Sequence, residues 1–360
     1  MRVNHYMGEI IVKNKFNEVT CTEGTSKKMK ILVTGGAGYI GSVTCSALID
    51  SGHTPVILDS LVTGRREFTK GRIWYQGDIA NHDLLAKIVE EHPDIECCIH
   101  FAARIIIPES VENPCLYYEE NVVKSISLFN SLKILGIKNV IFSSSASLYK
   151  PTEDFVVTEE SELRPLSPYA RTKLCMELVL EDFCNAGYLH GISLRYFNPI
   201  GADVKMRSGP FVSDPSHILG RLANVAMGVD PEFYIAGTDW PTRDGSAIRD
   251  YIHISDLAKA HVLAVEKASD IFSNTNYCII NLGSGEGVTV REFVNAFLNV
   301  YDKKIVVKDA GRRLGDVVGA YTNNDKAKKL LGWTLDYSIE DGIRDMLLWT
   351  EKERFKVLGF

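Results

Sequence analysis

Tyr169 and Lys173 stand four residues apart in the run SPYARTK, residues 167–173. On an α-helix this spacing puts both polar tips on one face, a single turn apart. Ser167 as N-cap and Pro168 at the first helical position predict a helix start at that point. A phenol beside an ammonium becomes a proton-transfer pair only if its surroundings lower the phenol from its ordinary value near about 10. Spacing alone does not decide this, because a chain with 15 Tyr holds such a pair by chance.

A second candidate is SSSAS, residues 143–147, at the end of the apolar run NVIF. In an open α/β sheet, ligands bind at the carboxyl ends of the strands. Ser145 there could hydrogen-bond the same substrate hydroxyl that Tyr169 deprotonates. The strongest signal is ILVTGGAGYIGS, in which a predicted strand runs into Gly35, Gly38 and Gly41 before a predicted helix. Glycines at this spacing allow a tight turn, close approach of a pyrophosphate and close helix–sheet packing. Asp59 ends the next predicted strand, where a carboxylate accepts from both adenosine ribose hydroxyls and repels a 2'-phosphate, so NAD is expected over NADP. The nicotinamide cation and the Lys173 ammonium would both favour the Tyr169 phenolate.

These residues need a scaffold, and from residue 30 the chain supplies one. KILVTG, PVILD, RIWYQGD, ECCIHFA, NVIFSSS and GISLRYFN read as buried strands alternating with amphipathic stretches, including one long helix after ECCIHFA. That rhythm predicts a doubly wound parallel α/β sheet covered on both faces. After Asn198 it breaks, and residues 200–247 are rich in Gly, Pro, Asp and Ser, as expected of a lid or smaller C-terminal lobe.

Composition agrees with an ordinary soluble globular protein: 360 residues, 45% apolar, net charge -6. The charge argues against a nucleic-acid surface, so an anionic ligand must meet local arginines. No run approaches the roughly 20 apolar residues of a membrane span, and residues 1–29 lack the apolar centre of a secretion signal. The eight cysteines show no metal-ligand spacing and no metal site is expected; they read as reduced thiols of a cytoplasmic protein. Residues 1–29 read as an extension.

Together the motifs resemble the extended short-chain dehydrogenase/reductase family, over nearly everything from residue 30 onward. The similar pieces are VTGGAGYIGS, GDI at 77–79, IHFAA, ESVENP, FSSSAS, SPYARTK, RYFNPIGA, IRDYIHISDLA, NLGSGEG, and RRLGD followed by LGW. RYFNPIGA and RDYIH are similar to the family's nucleotide-sugar epimerases. The resemblance implies a Rossmann domain over 30–199, joined by about 249–283, and a nucleotide-sugar lobe mainly over 200–360.

It implies NAD-dependent interconversion of UDP-glucose and UDP-galactose through oxidation at C4, rotation of the 4-keto sugar and return of hydride to the opposite face. Tyr169 would be the base, Ser145 would position the hydroxyl, and Lys173 would hold the nicotinamide ribose. Gly35, Gly38, Tyr39, Ile40, Gly41, Asp59, Asp78, Ile79, Phe101, Ala102, Asn121, Ser143 and Tyr196 fall on cofactor positions. Phe197, Asn198, His217, Arg249, Arg313 and Asp316 fall on substrate positions, and arginine suits a diphosphate because its fork of donors grips two oxygens. Ala320, seven places after Arg313, corresponds to a position beside the sugar's 2-substituent; a small residue there implies that UDP-GlcNAc and UDP-GalNAc also fit. Relatives commonly pair as homodimers through helices near 110–135 and 168–187.

The chain departs from the family at Lys150 and Pro151, where the loop beside the sugar usually continues with Gly, and at Arg104 to Ile107, where a polar segment is usual. A 4,6-dehydratase would need an Asp-Glu pair where Ala146 and Ser147 stand. Uronate and pentose 4-epimerases share most of the motifs. A non-catalytic NAD-sensing regulator would be expected to lose Tyr169 or Lys173, and this chain keeps both.

Overall fold

A computed structural model describes residues 27–312 and 316–359. Of the expected extension, only Lys27, Lys28 and Met29 lie inside these limits.

Seven strands, β1 (Lys30–Thr34), β2 (Thr54–Asp59), β3 (Ile73–Gln76), β4 (Ile95–His100), β5 (Asn139–Ser143), β6 (His190–Tyr196) and β7 (Tyr277–Leu282), form one sheet. Its order is β7-β6-β5-β4-β1-β2-β3 and every neighbouring pair is parallel. Ile31 and Val33 join one core and Leu32 the other, as the two-residue period of a strand requires when both faces are covered. Helices α1 (Tyr39–Asp50) and α5 (Ile254–Glu266) cover the first face; α2 (His82–Glu91), α3 (Lys124–Leu135) and α4 (Pro168–Asn185) cover the second. Fully burying one such aliphatic side chain stabilises by about 1.5–3 kcal/mol. This is the expected doubly wound Rossmann sheet. The strand order reverses between β1 and β4, so their carboxyl ends open a crevice for a ligand.

The single long helix expected after β4 is instead segmented. Ile107–Glu112 and Pro114–Tyr117 are separate short helices, and Tyr118–Val123 forms a π-helical turn leading into α3. Pro114 lacks the N–H that continuation needs, and Asn113 before it leaves helical geometry with φ -128° and ψ 63°.

A further core lies beyond the sheet, built from Ile200, Leu219, Leu222, Phe233, Phe293, Phe297 and Ile343 among others. Two short parallel pairings tie it to the sheet edge: Asn198–Ile200 with Tyr251–His253, and Val156–Val157 with Tyr321–Thr322. Among the described residues no helix is long and apolar enough to cross a membrane, and no cluster of His, Cys, Asp and Glu could hold a metal. The described cysteines are all free.

Candidate active site

The turn after β1 is built for close approach. Gly35 has φ +74°, and a Cβ there would sit 2.7 Å from the backbone nitrogen of Ala102. A Cβ on Gly41 would meet the Gly35 carbonyl at 2.2 Å, so α1 rides against the turn as only glycine permits. Gly38 is the N-cap of α1 and brings no side-chain cap, which leaves the positive end of the helix to a ligand. Tyr39 donates its hydroxyl proton to the Gly201 carbonyl at 2.7 Å, and Ile40 packs partly buried against the core.

At the end of β2 the Asp59 carboxylate accepts from the amides of Ala37 at 2.9 Å and Leu61 at 2.8 Å. Burial raises its pKa and these two bonds oppose the rise. Gly64 keeps the space beside it open, since a Cβ there would lie 2.7 Å from Oδ1. Asp78 accepts from Lys124 at 2.6 Å and from the Ala80 amide at 2.9 Å, next to buried Ile79. Phe101 and Ala102 follow β4, and Phe101 packs on His261 with centroids 4.8 Å apart. Asn121, in the π-helical turn, is fully buried; it accepts from the Arg104 amide at 2.7 Å and donates to Thr172 on α4 at 3.0 Å. An uncapped helix start, a glycine turn that a Cβ would fill and a carboxylate at the next strand end together fit a dinucleotide.

Ser167 caps α4 through the Ala170 amide with Pro168 in its first turn, as expected, and this puts Tyr169 and Lys173 on one face. Lys173 is 2% exposed, and its Nζ donates to the Ser143 carbonyl at 2.7 Å. Burial pushes its pKa down to about 7, against the raising effect of Glu177. The Ser145 hydroxyl bonds the Tyr169 phenol, and the Ser147 amide donates to Ser145 at 3.2 Å. Ser143 and Tyr196 share a hydrogen bond. Tyr169 is partly open to the cleft. The chain alone does not lower its phenol: burial raises it and the Ser145 bond only opposes this, so the lowered value expected from the sequence requires the cofactor's charge as well.

Around the far side of the cleft, Asn198 donates through Nδ2 to the Asp250 carbonyl at 3.0 Å. Arg249 donates to the carbonyls of Ile248, Val318 and Val317 at 2.7, 2.9 and 3.2 Å. Asp316 is half-buried, and Arg313 lies outside the described residues. His217 is exposed at the start of helix Ile218–Ala226 and accepts from the Gly220 amide at 3.1 Å. Phe197 belongs to a small apolar cluster with Tyr149 and Val157, against which Ala146 and Ala320 pack. The neighbouring Tyr321 turns its ring to Gly287, where an added Cβ would be 2.4 Å away.

Sequence reasoning did not single out Ser144, Glu177, Arg195, Asp250 or Lys124, all of which hold this site. The signal for Glu177 was present, since it continues the four-residue spacing of Tyr169 and Lys173.

The fold and site define a dinucleotide-dependent enzyme of the Rossmann type. Residues 31–283 match the NAD dependent epimerase/dehydratase family, and the chain belongs to that family. It is 38% identical over 322 residues to the UDP-glucose 4-epimerase of Rhizobium leguminosarum bv. trifolii, covering 89% of this chain and 97% of that one. The crystal structure of UDP-glucose-4-epimerase from Stenotrophomonas maltophila with bound NAD and formylated UDP-arabinopyranose superposes with TM-score 0.87 at 35% identity, covering 91% of this chain and 99% of that chain. The UDP-Glc/GlcNAc 4-epimerase of Campylobacter jejuni follows with TM-score 0.77 at 31% identity, covering 90% and 99%.

Proposed function

We propose that this protein interconverts UDP-glucose and UDP-galactose with NAD as its cofactor. The observation that carries the reading is the convergence of Tyr169, Lys173 and Ser145 beside a glycine turn with Asp59 at the next strand end. When bound, NAD supplies the acceptor and then the donor of the C4 hydride. Gly35, Gly38, Tyr39, Ile40 and Gly41 would hold its diphosphate, and Asp59, Asp78 and Ile79 its adenosine. Phe101, Ala102, Asn121, Ser143 and Tyr196 would line the rest.

Tyr169 as phenolate takes the proton of the sugar 4-hydroxyl, which Ser145 orients by hydrogen bonding. Lys173 stabilises the phenolate by its charge and fixes the nicotinamide ribose. The 4-keto sugar turns about its diphosphate link to present the other face of C4, and Tyr169 returns the proton to the C4 oxygen. Phe197, Asn198, His217, Arg249, Arg313 and Asp316 hold the UDP portion, and Ala320 leaves room for a 2-substituent. In this reading residues 30–199 with about 249–283 form the NAD domain and the remainder to 360 the nucleotide-sugar lobe.

Val111, Tyr118, Val123, Ile126 and Leu178 expose apolar surface on the adjoining helices, which supports pairing of two copies there. The free, mostly buried thiols among the described residues support a cytoplasmic location.

Incubating purified protein with UDP-galactose tests the function. UDP-glucose should form, and Tyr169→Phe should reduce turnover by at least about 10²-fold. Absence of product from folded, NAD-supplied protein would overturn the reading.

A further inference from the structure

One turn beyond Lys173 on α4, Glu177 is 3% exposed and faces Arg195 of β6, itself 2% exposed. The pair is bidentate, with Nε to Oε1 at 2.9 Å and Nη2 to Oε2 at 2.6 Å. Arg195 also donates to the Tyr149 hydroxyl at 3.0 Å, which donates to Asn281 at 2.6 Å. Glu177 further accepts from the hydroxyl of Ser144. The serine run is thus held at successive points: Lys173 grips the Ser143 carbonyl, Glu177 grips the Ser144 side chain, and Ser145 is left to face Tyr169.

A buried ion pair gains little stability over an apolar substitute of the same shape. Two hydrophobic residues would fill the same volume but would neither hold Ser144 nor set the charge beside Lys173. We propose that Glu177 and Arg195 are positioning residues for the proton-transfer couple, a proposal that rests on the function assigned above. The carboxylate keeps the buried Lys173 ammonium charged and anchors the strand end that carries Ser145. Arg195 partly offsets that carboxylate's charge, which limits its opposition to the Tyr169 phenolate.

Other titratable groups face this arrangement. His100 on β4 is held neutral by burial and by the Lys173 charge. Tyr196, Tyr149 and Tyr277 are held protonated by burial. None of these changes charge between about pH 5 and 9. Glu159 and Glu181 are the remaining carboxylates nearby.

The test is the pH profile of kcat/KM for UDP-galactose with the NAD-loaded enzyme. Glu177→Gln leaves an extra positive charge beside the couple, which favours phenolate and disfavours ammonium. Both limbs should move to lower pH by at least about 0.5 unit, with kcat reduced about 10-fold or more and KM little changed. Arg195→Gln should move both limbs upward, and Arg195→Lys, which keeps the charge, should restore them. Ser144→Ala should lower kcat with the limbs in place, separating the anchor from the charge.

Titrating the Tyr169 phenolate by ultraviolet difference absorbance, against Tyr169→Phe as blank, reads the same shift without turnover. This keeps the proposal testable if the functional reading fails. Folded Glu177→Gln and Arg195→Gln proteins with wild-type limbs and phenolate titration would overturn it. If either does not fold, unchanged kcat in Ser144→Ala, which removes the anchor and keeps the charges, would do so.

Discussion

The Lys173 ammonium donates to the Ser143 carbonyl at 2.7 Å, joining the helix that carries Tyr169 to the strand end that carries Ser145. That single bond brings the two halves of the proposed proton-transfer site into register. It also holds a charge in a buried place, and the cost can be measured.

Burial lowers Lys173 from its ordinary 10.5 to about 7. Between these values the unfolded chain binds one more proton than the folded one, so stability rises with pH across this window, by up to about 1.4 kcal/mol per unit. Lys173→Met removes the effect. Thermal melts should show a gain in Tm for the variant that is largest near about pH 6–7 and shrinks toward about pH 10. A gain independent of pH would contradict the assignment, and turnover should be lost throughout.

His100 behaves in the same sense at lower pH. It is 1% exposed and lies between Thr34 at 2.7 Å and Ser125 at 2.9 Å. Burial and then the Lys173 charge hold its pKa down to about 3, against an ordinary 6.5. The folded state excludes a proton that the unfolded state accepts, so its contribution is complete above 6.5 and is lost as pH falls toward 3. His100→Gln should narrow its stability deficit relative to wild type by up to about 1.4 kcal/mol per unit below about pH 6.5, measured by denaturant titration.

On the proposed function, substrate breadth should turn on Ala320. Ala320 packs against the cluster of Tyr149, Val157 and Phe197, while Tyr321 turns its ring to Gly287. Wild-type protein should turn over UDP-GalNAc as well as UDP-galactose. Ala320→Tyr should depress the N-acetyl substrate selectively, by about 10-fold or more, since steric exclusion acts on the larger sugar alone. An unchanged ratio of the two activities would remove Ala320 from this role.

Much of the scaffold was legible because its signals are local. Alternating apolar runs and helical stretches mark the parallel sheet, and three glycines after a strand mark the ligand turn. Ser167 and Pro168 mark the start of α4. What was not legible depends on partners distant in sequence. Glu177 meets Arg195 only because β6 lies beside β5 in the sheet. The strip that carries Ala320 is placed by pairing with Val156–Val157, about half the chain away. The break before Pro114 followed from that proline, whose effect an apolar pattern does not record. The Tyr169 phenol shows the same limit: the helix spacing was readable, while the burial that raises its pKa is a property of the folded cleft.

The central claim is that hydride leaves C4 of the sugar and returns to the same carbon from the other side, with Tyr169 moving the proton. UDP-galactose carrying deuterium at C4 tests it most directly. The expected product is UDP-glucose with the deuterium retained at C4, no build-up of reduced cofactor, and turnover lowered by at least about 10²-fold in Tyr169→Phe. Deuterium lost to solvent, or net reduction of NAD with a 4-keto product released, would contradict it.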